Sequence, residues 1–118
     1  MKKLFIVILS MALLAACAPA VKPMYYWGNY SNASDKFLKR STDKDLETLK
    51  ANYEDIIAKE AKGTRAVPPP GVCADYGFLL LQAGENQKGM DLLKKEIALY
   101  PESKVFIERI LKAFENAK

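Results

Sequence analysis

The sequence predicts an all-α protein, a short antiparallel helix-turn-helix array of about five helices that follows an N-terminal signal peptide. Three observations support this prediction. Apolar side chains recur at intervals of three and four residues through most of the chain after position 30, which is the period of amphipathic helices. Glycine and proline fall between these periodic stretches, where helices end. An apolar run of 11 residues, Leu4 to Leu14, follows Lys2 and Lys3, as in secretory signals.

The N-terminal segment resembles a bacterial lipoprotein signal. It closes with Leu14-Ala15-Ala16-Cys17, and the resemblance implies that the thiol of Cys17 receives a diacylglyceryl group and its freed amine a third acyl chain. The apolar run is too short to span a bilayer, whereas two or more acyl chains hold a protein stably at a membrane. We therefore expect residues 1–16 to be a cleaved lipoprotein signal peptide and Cys17 to be the lipidation site. The alternative is a soluble secreted protein with a chance cysteine.

The residue after the lipidated cysteine bears on location. It is Ala18, whereas aspartate at this place is the inner-membrane retention signal in enterobacteria-like systems. The resemblance to lipoproteins therefore implies a chain anchored by its acyl chains in the outer membrane and facing the periplasm.

Composition limits the chemistry of the mature chain. Residues 17–118 hold 16 basic and 14 acidic side chains, a net charge of +2, which does not favour a nucleic-acid partner. The absence of histidine excludes His-based triads and the usual zinc ligands, so we expect no enzymatic activity, cofactor or metal. A hydrolase with a carboxylate pair stays open, although the acidic residues lie among lysines on predicted helix faces and should be solvated. Cys73 follows Val72 and is expected to be a small buried hydrophobe.

The mature chain divides into a spacer and one domain. Residues 17–23 hold the lipidated cysteine and a spacer with two prolines, and residues 24–118 form a single helical-repeat-like domain. Four aromatics within its first seven residues are Tyr25, Tyr26, Trp27 and Tyr30. They are interpreted either as a hydrophobic clasp over the first helix pair or as a surface for a partner or the membrane interface. We take all four as candidate partner-binding residues.

The first two helices are predicted over residues 31–39 and 43–62. Thr42 is the expected N-cap of the second and Gly63 its C-cap. Residues 64–71, with three consecutive prolines, should form a stiff polyproline-like connector rather than a partner's binding motif. The apolar faces of the two helices comprise Tyr30, Ser34, Phe37 and Leu38 on the first and Leu46, Leu49, Tyr53, Ile56 and Ile57 on the second.

Three further helices are predicted over residues 72–83, 87–100 and 103–116. Asn86 and Ser103 are the expected N-caps of the last two. Their apolar residues predict one continuous surface, formed by Tyr76, Leu79, Leu80, Ala83, Met90, Leu93, Ile97, Ile107, Ile110, Leu111 and Phe114.

Residues 70–103 resemble one tetratricopeptide repeat. Gly77, Gly84 and Gly89 precede Pro101 by 24, 17 and 12 residues, the spacing of the small residues and the closing proline in that repeat. Cys73 stands where the repeat often has tryptophan. The resemblance implies that Gly77 and Gly89 let two antiparallel helices approach closely, with the other helices as caps.

The mature chain also resembles a family of small bacterial outer-membrane lipoproteins classed as a domain of unknown function, of the 4810 type. The matching motifs run from Tyr25 to Ser31, from Pro69 to Gly71 and from Tyr100 to Ser103. The resemblance implies a protein partner, a lipoprotein similar to the curli secretion channel, and no catalytic residues.

The leading hypothesis is a lipid-anchored, non-catalytic adaptor or accessory subunit of a cell-envelope complex with that channel-like lipoprotein. It would make contact either through a concave face near Tyr76, Gln82 and Lys88 or through the aromatic residues around Trp27. The alternative is a periplasmic regulator of a peptidoglycan synthase. A six-residue spacer limits the alternative, because it extends only about 20 Å.

Overall fold

The computed structural model describes residues 1–4, 6 and 19–117. Cys17 and most of the predicted signal peptide lie outside these residues. Between residues 19 and 117 the chain forms five α-helices and two short 3₁₀ helices, with no strand. The predicted all-α class with about five helices is confirmed. The α-helices are α1 (Tyr30–Arg40), α2 (Asp43–Ala58), α3 (Val72–Gln82), α4 (Asn86–Leu99) and α5 (Lys104–Asn116).

Helix α2 begins as predicted and ends earlier. The backbone N–H of Asp45 donates to the hydroxyl of Thr42 at 3.2 Å, which is the expected N-cap. The α-helix stops at Ala58 rather than Lys62, and a 3₁₀ turn covers Glu60–Lys62. Gly63 follows that turn with φ −83°, so the prediction that it caps α2 is wrong.

Helix α3 is the centre of the domain. On one side it joins the buried cluster Ala33, Leu49, Tyr53, Ile56, Val72, Tyr76 and Leu80. On the other it joins the buried cluster Ala74, Leu81, Leu93 and Ile107. Because both sides of α3 are buried, its sequence is apolar nearly all round. Most of the predicted apolar residues are at least partly buried, although Ala83, like Leu38 on α1, is exposed. The prediction that they form one continuous surface is wrong, because Tyr76 and Leu80 belong to the first cluster and Leu93 and Ile107 to the second.

Helices α3 and α4 are an antiparallel pair that meets at two glycines. A Cβ at Gly77 would lie 2.8 Å from the carbonyl oxygen of Gly89, and a Cβ at Gly89 would lie 2.8 Å from that of Gly77. The predicted close approach at these positions is confirmed. The reversal between the helices is a Schellman turn, since the N–H of Glu85 donates to Leu80 O at 2.9 Å and that of Gly84 to Leu81 O at 3.1 Å with φ +84° at Gly84.

The N-caps of α4 and α5 differ from the prediction in different ways. Helix α4 begins at Asn86 itself, with Glu85 at the N-cap position, so the prediction of Asn86 as the cap is wrong. Ser103 does stand at the N-cap of α5. Its hydroxyl donates to Tyr100 O at 2.7 Å instead of accepting from the helix.

Two acidic side chains are buried, contrary to the expectation that all are solvated. Asp45 pairs with Arg40. Glu96 on α4 is 2% exposed, and its Oε1 accepts the N–H of Gly71 at 2.7 Å, at the N-terminus of α3. Burial raises the pKa of Glu96, while the N–H groups of Gly71, Cys73 and Ala74 act in the opposite direction. A carboxylate of α4 thus caps the positive end of α3.

The proline connector belongs to the core. Pro68 and Pro69 are fully buried, and the carbonyl oxygen of Pro68 accepts the hydroxyl of Tyr100 at 2.6 Å. Pro68 and Pro69 are therefore packed inside the domain and are not exposed to a partner. Cys73 is also fully buried, as expected, and burial raises the pKa of its thiol to about 11.

Candidate partner-binding site

The aromatic segment, residues 24–30, enters the fold beside the loop that follows α2. The N–H of Thr64 donates to Pro23 O at 2.9 Å, and the N–H of Arg65 donates to Met24 O at 3.1 Å. A Cβ on Gly63 would lie 2.7 Å from Met24 O. Gly63 is therefore needed for the close approach of the aromatic segment, which explains a glycine at a position that does not cap the helix.

Tyr25 and Tyr26 hold this segment to the domain, and both are half-buried. The hydroxyl of Tyr26 donates to Asp55 at 2.8 Å, and the ammonium of Lys62 lies 5.1 Å from the centre of the Tyr26 ring. The hydrogen bond to Asp55 is the main cause that raises the pKa of Tyr26. The guanidinium of Arg65 lies 5.8 Å from the ring of Tyr25. Both tyrosines thus act within the fold, as the clasp interpretation expects.

Four aromatic rings form a continuous ladder from the surface into the core. The ring centroids are separated by 5.6 Å from Trp27 to Tyr30, 5.7 Å from Tyr30 to Tyr53 and 5.5 Å from Tyr53 to Tyr76. Tyr53 and Tyr76 are only 3% and 2% exposed, whereas Trp27 is 45% exposed. The ladder therefore fixes Trp27 to the core through Tyr30 and leaves much of the indole free to contact another molecule.

The inner end of the ladder opens into a polar groove. The hydroxyl of Tyr76 donates to Glu54 at 2.6 Å, and the ammonium of Lys88 lies 2.7 Å from the same carboxylate oxygen. These hydrogen bonds lower the pKa of Glu54 and raise that of Lys88. The groove, about 190 Å³ in volume, unites Tyr76 and Lys88, but Gln82 is not among its lining residues. It is lined by Glu47, Lys50, Ala51, Glu54, Tyr76, Leu80, Glu85 and Lys88.

A larger, mainly apolar groove of about 310 Å³ lies between α1, α2 and α3. Leu38 at its edge is 76% exposed, and Tyr30 connects the groove to Trp27. We call it the α1–α3 groove. Its lining residues are Tyr30, Ser34, Phe37, Leu38, Leu49, Tyr53, Asp75, Phe78 and Leu79.

The structure divides the four candidate aromatics by role. Tyr25, Tyr26 and Tyr30 are half-buried, and Trp27 alone of the four is exposed. Sequence reasoning placed Leu38 on one face of α1 with Tyr30 and Phe37, which line the same groove, but it did not place Asp75 at this surface. The signal for Asp75 is visible, because it is the single charged residue in the apolar helix Val72–Gln82.

Two further observations concern the described residues as a whole. Among residues 1–4, 6 and 19–117, no three acidic or cysteine side chains converge to hold a metal ion. Within the same residues, no helix is both long and apolar enough to cross a membrane.

Residues 24–110 match the family described as Domain of unknown function (DUF4810). The chain belongs to this family. The match begins with the aromatic segment and ends within α5, so that in this DUF4810 protein the family region contains the ladder, both grooves and the Gly77–Gly89 contact. Searches of curated proteins and of solved structures give no match.

Proposed function

We propose that this DUF4810 protein is a lipid-anchored, non-catalytic adaptor or accessory subunit of a cell-envelope complex. Acyl chains on Cys17 would hold it in the outer membrane, facing the periplasm. The observation that carries the adaptor role is Trp27, an indole fixed to the core by ring contacts yet 45% exposed beside an apolar groove. Pre-organised aromatic residues at the edge of a pocket are typical anchors of protein interfaces.

The ion-paired acids of α2, Glu54 and Asp55, support a structural rather than a catalytic role for these two residues. The pKa of Asp55 is lowered chiefly by its hydrogen bond with Lys59. Glu54 and Lys88 shift each other's pKa in the directions expected of an ion pair. The Asp55–Lys59 pair lies at the C-terminal end of α2, and the Glu54–Lys88 pair joins α2 to α4. In both pairs the pKa values move away from the neutral range in which a general acid or base works.

The helical core fits a binding module. We interpret α3 and α4 as one tetratricopeptide-like unit, supported by their antiparallel contact at Gly77 and Gly89. In this interpretation α1 and α2 cap one side of the unit and α5 the other, because a single repeat cannot bury its faces alone.

The length of the tether favours a partner at the same membrane. The ammonium of Lys22 already donates to Ala61 O at 2.9 Å, so only about five residues separate Cys17 from the domain, about 18 Å at full extension. The family resemblance implies a lipoprotein similar to the curli secretion channel, which would be anchored in the same membrane. A synthase at the inner membrane would have to approach much more closely.

The test is affinity purification of the lipidated protein from detergent-solubilised envelopes. We expect the wild-type protein to recover a curli-channel-like lipoprotein and the Trp27→Ala variant to lose most of it. Phe106→Ala is the matched control, because Phe106 on α5 is also a large apolar residue, 62% exposed. Both variants should keep the wild-type circular dichroism. Recovery of a peptidoglycan synthase would replace the proposal with the regulator hypothesis, and recovery of no envelope protein would refute both.

A further inference from the structure

The α1–α3 groove combines aromatic rings with one acidic group. Its walls include the rings of Tyr30, Phe37, Tyr53 and Phe78, and Asp75 supplies the carboxylate. Tyr53 is buried, which raises the pKa of its hydroxyl, and the nearby charge of Asp75 acts in the same direction. A carboxylate thus lies in the same groove as several aromatic rings.

Among the described residues that line the α1–α3 groove, Asp75 alone is charged. Asp45, Glu54, Asp55 and Glu60 each form an ion pair with a lysine or arginine. In the described part of the chain, by contrast, Asp75 has no ion pair. Its side chain remains in contact with solvent, while partial burial against the groove raises the pKa of its carboxyl group. The groove therefore contains a negative charge that the domain itself does not neutralise.

We propose that the α1–α3 groove binds an apolar segment of a partner protein that presents a lysine or arginine side chain to Asp75. The inference rests on the proposed adaptor function and specifies the chemistry of its partner. A cation placed there gains both the charge of the carboxylate and attraction to the aromatic faces. The apolar walls take the neighbouring side chains of the same segment.

The surroundings of the groove favour a polypeptide as its occupant. Trp27 extends the apolar surface at one edge through Tyr30, and the exposed Leu38 extends it at another. Phe78 is shared with a second apolar groove of about 270 Å³, next to Ile110 on α5. The two grooves together extend over α1, α2, α3 and α5, and a surface of this extent suits side chains spaced along a helix or strand, as in groove-binding peptides.

The proposal is tested by selecting from a displayed library of amphipathic peptides of about 14 residues, roughly four helical turns. Apolar positions are drawn from leucine, isoleucine, phenylalanine and methionine, and all others are randomised. The target is the full-length lipidated protein in detergent. Four variants are compared with the wild type: Asp75→Asn, Asp75→Lys, Leu38→Gln and, as control, Asp91→Asn. Asp91 is an exposed acid on α4 that does not line the groove. Asp91→Asn changes the net charge by the same amount as Asp75→Asn, and it therefore controls for charge alone.

We expect peptides enriched on the wild type to carry lysine or arginine at one fixed position among apolar residues. Asp75→Asn should weaken their binding by roughly tenfold, and Leu38→Gln should weaken it as well. Asp91→Asn should leave binding unchanged. On Asp75→Lys the selected residue should change to aspartate or glutamate.

Three results would overturn the inference. In the first, no peptide is enriched on the wild type relative to Leu38→Gln. In the second, the enriched peptides lack a basic residue. In the third, Asp75→Asn binds the enriched peptides as tightly as the wild type does. The inference and the adaptor proposal can fail separately. If basic peptides bind the groove but the protein captures no envelope partner, only the adaptor proposal is refuted. If the protein captures an envelope partner and Asp75→Asn does not affect this capture, only the proposal for the groove is refuted.

Discussion

Replacing Gly77 with alanine tests the close contact between α3 and α4. The new Cβ would lie 2.8 Å from the backbone oxygen of Gly89 and 3.1 Å from Cγ of Leu93. Ordinary contact begins near 3.4 Å, so α3 and α4 must separate by roughly 0.6 Å at this point. Overpacking of this kind costs about 1–3 kcal/mol.

Helix propensity acts in the opposite direction. Alanine is favoured over glycine inside a helix by about 1 kcal/mol. Because the atom that Gly77→Ala meets is backbone and cannot rotate away, we expect the packing cost to exceed this gain. The net loss should be up to about 2 kcal/mol, and each kcal/mol lowers Tm by roughly 4–8 °C in a domain of this size.

The assay is thermal and urea unfolding of the purified protein, followed by circular dichroism at 222 nm. Gly89→Ala should destabilise the protein similarly, since its Cβ meets the carbonyl oxygen of Gly77 at the same distance. The double variant should lose less than the sum of the single losses, because both substitutions separate the same two helices. A rise in Tm for either single variant would show that the helices have room to spare and would refute the close contact.

Three other predictions concern buried polar groups. The pKa of Glu96 is raised in the folded state, so stability from this group is present below its ordinary value of 4.5 and is lost as pH rises through the folded pKa. Relative to Glu96→Gln, the wild type should therefore lose urea stability between acidic and neutral pH, and a difference that stays constant or reverses would contradict this. Tyr100→Phe leaves the buried Pro68 carbonyl unpaired and should cost about 1–3 kcal/mol in urea unfolding, so an unchanged midpoint would contradict that bond. Cys73, fully buried with a pKa of about 11, should react with a thiol reagent only after unfolding, and rapid reaction of the native protein would show that it is accessible.

Periodicity predicted the helices well because each buries a regular stripe. The stripe Leu49, Tyr53 and Ile56 is buried in α2 as expected. The early end of α2 could not be predicted in this way, because the chain leaves the helix there to meet the aromatic segment at Gly63. That contact joins residues about 40 positions apart, and local patterns do not report it.

The buried acids illustrate the same limit. Glu96 lies among lysines in the sequence, where a solvated carboxylate is the simplest expectation. Its partner is the N-terminus of a different helix, at Gly71. Only the packing of α4 against α3 brings the two together.

Part of the candidate site could be predicted from the sequence. The density of aromatics around Trp27 marked the aromatic segment, but which rings face outward depends on the ladder through Tyr30 into the core. The α1–α3 groove combines Leu38 and Asp75 from separate helices. Its chemistry therefore becomes apparent only once α1 is packed against α3.

The central claim is that the surface around Trp27 contacts an envelope protein. Its most direct test is a photo-crosslinking amino acid placed at Trp27, at Leu38 and, as control, at Lys94, an exposed residue on α4 outside both grooves. After irradiation of intact cells, we predict the same envelope protein to be crosslinked from Trp27 and Leu38 and not from Lys94. Equal crosslinking from all three positions, or from Lys94 alone, would contradict the account.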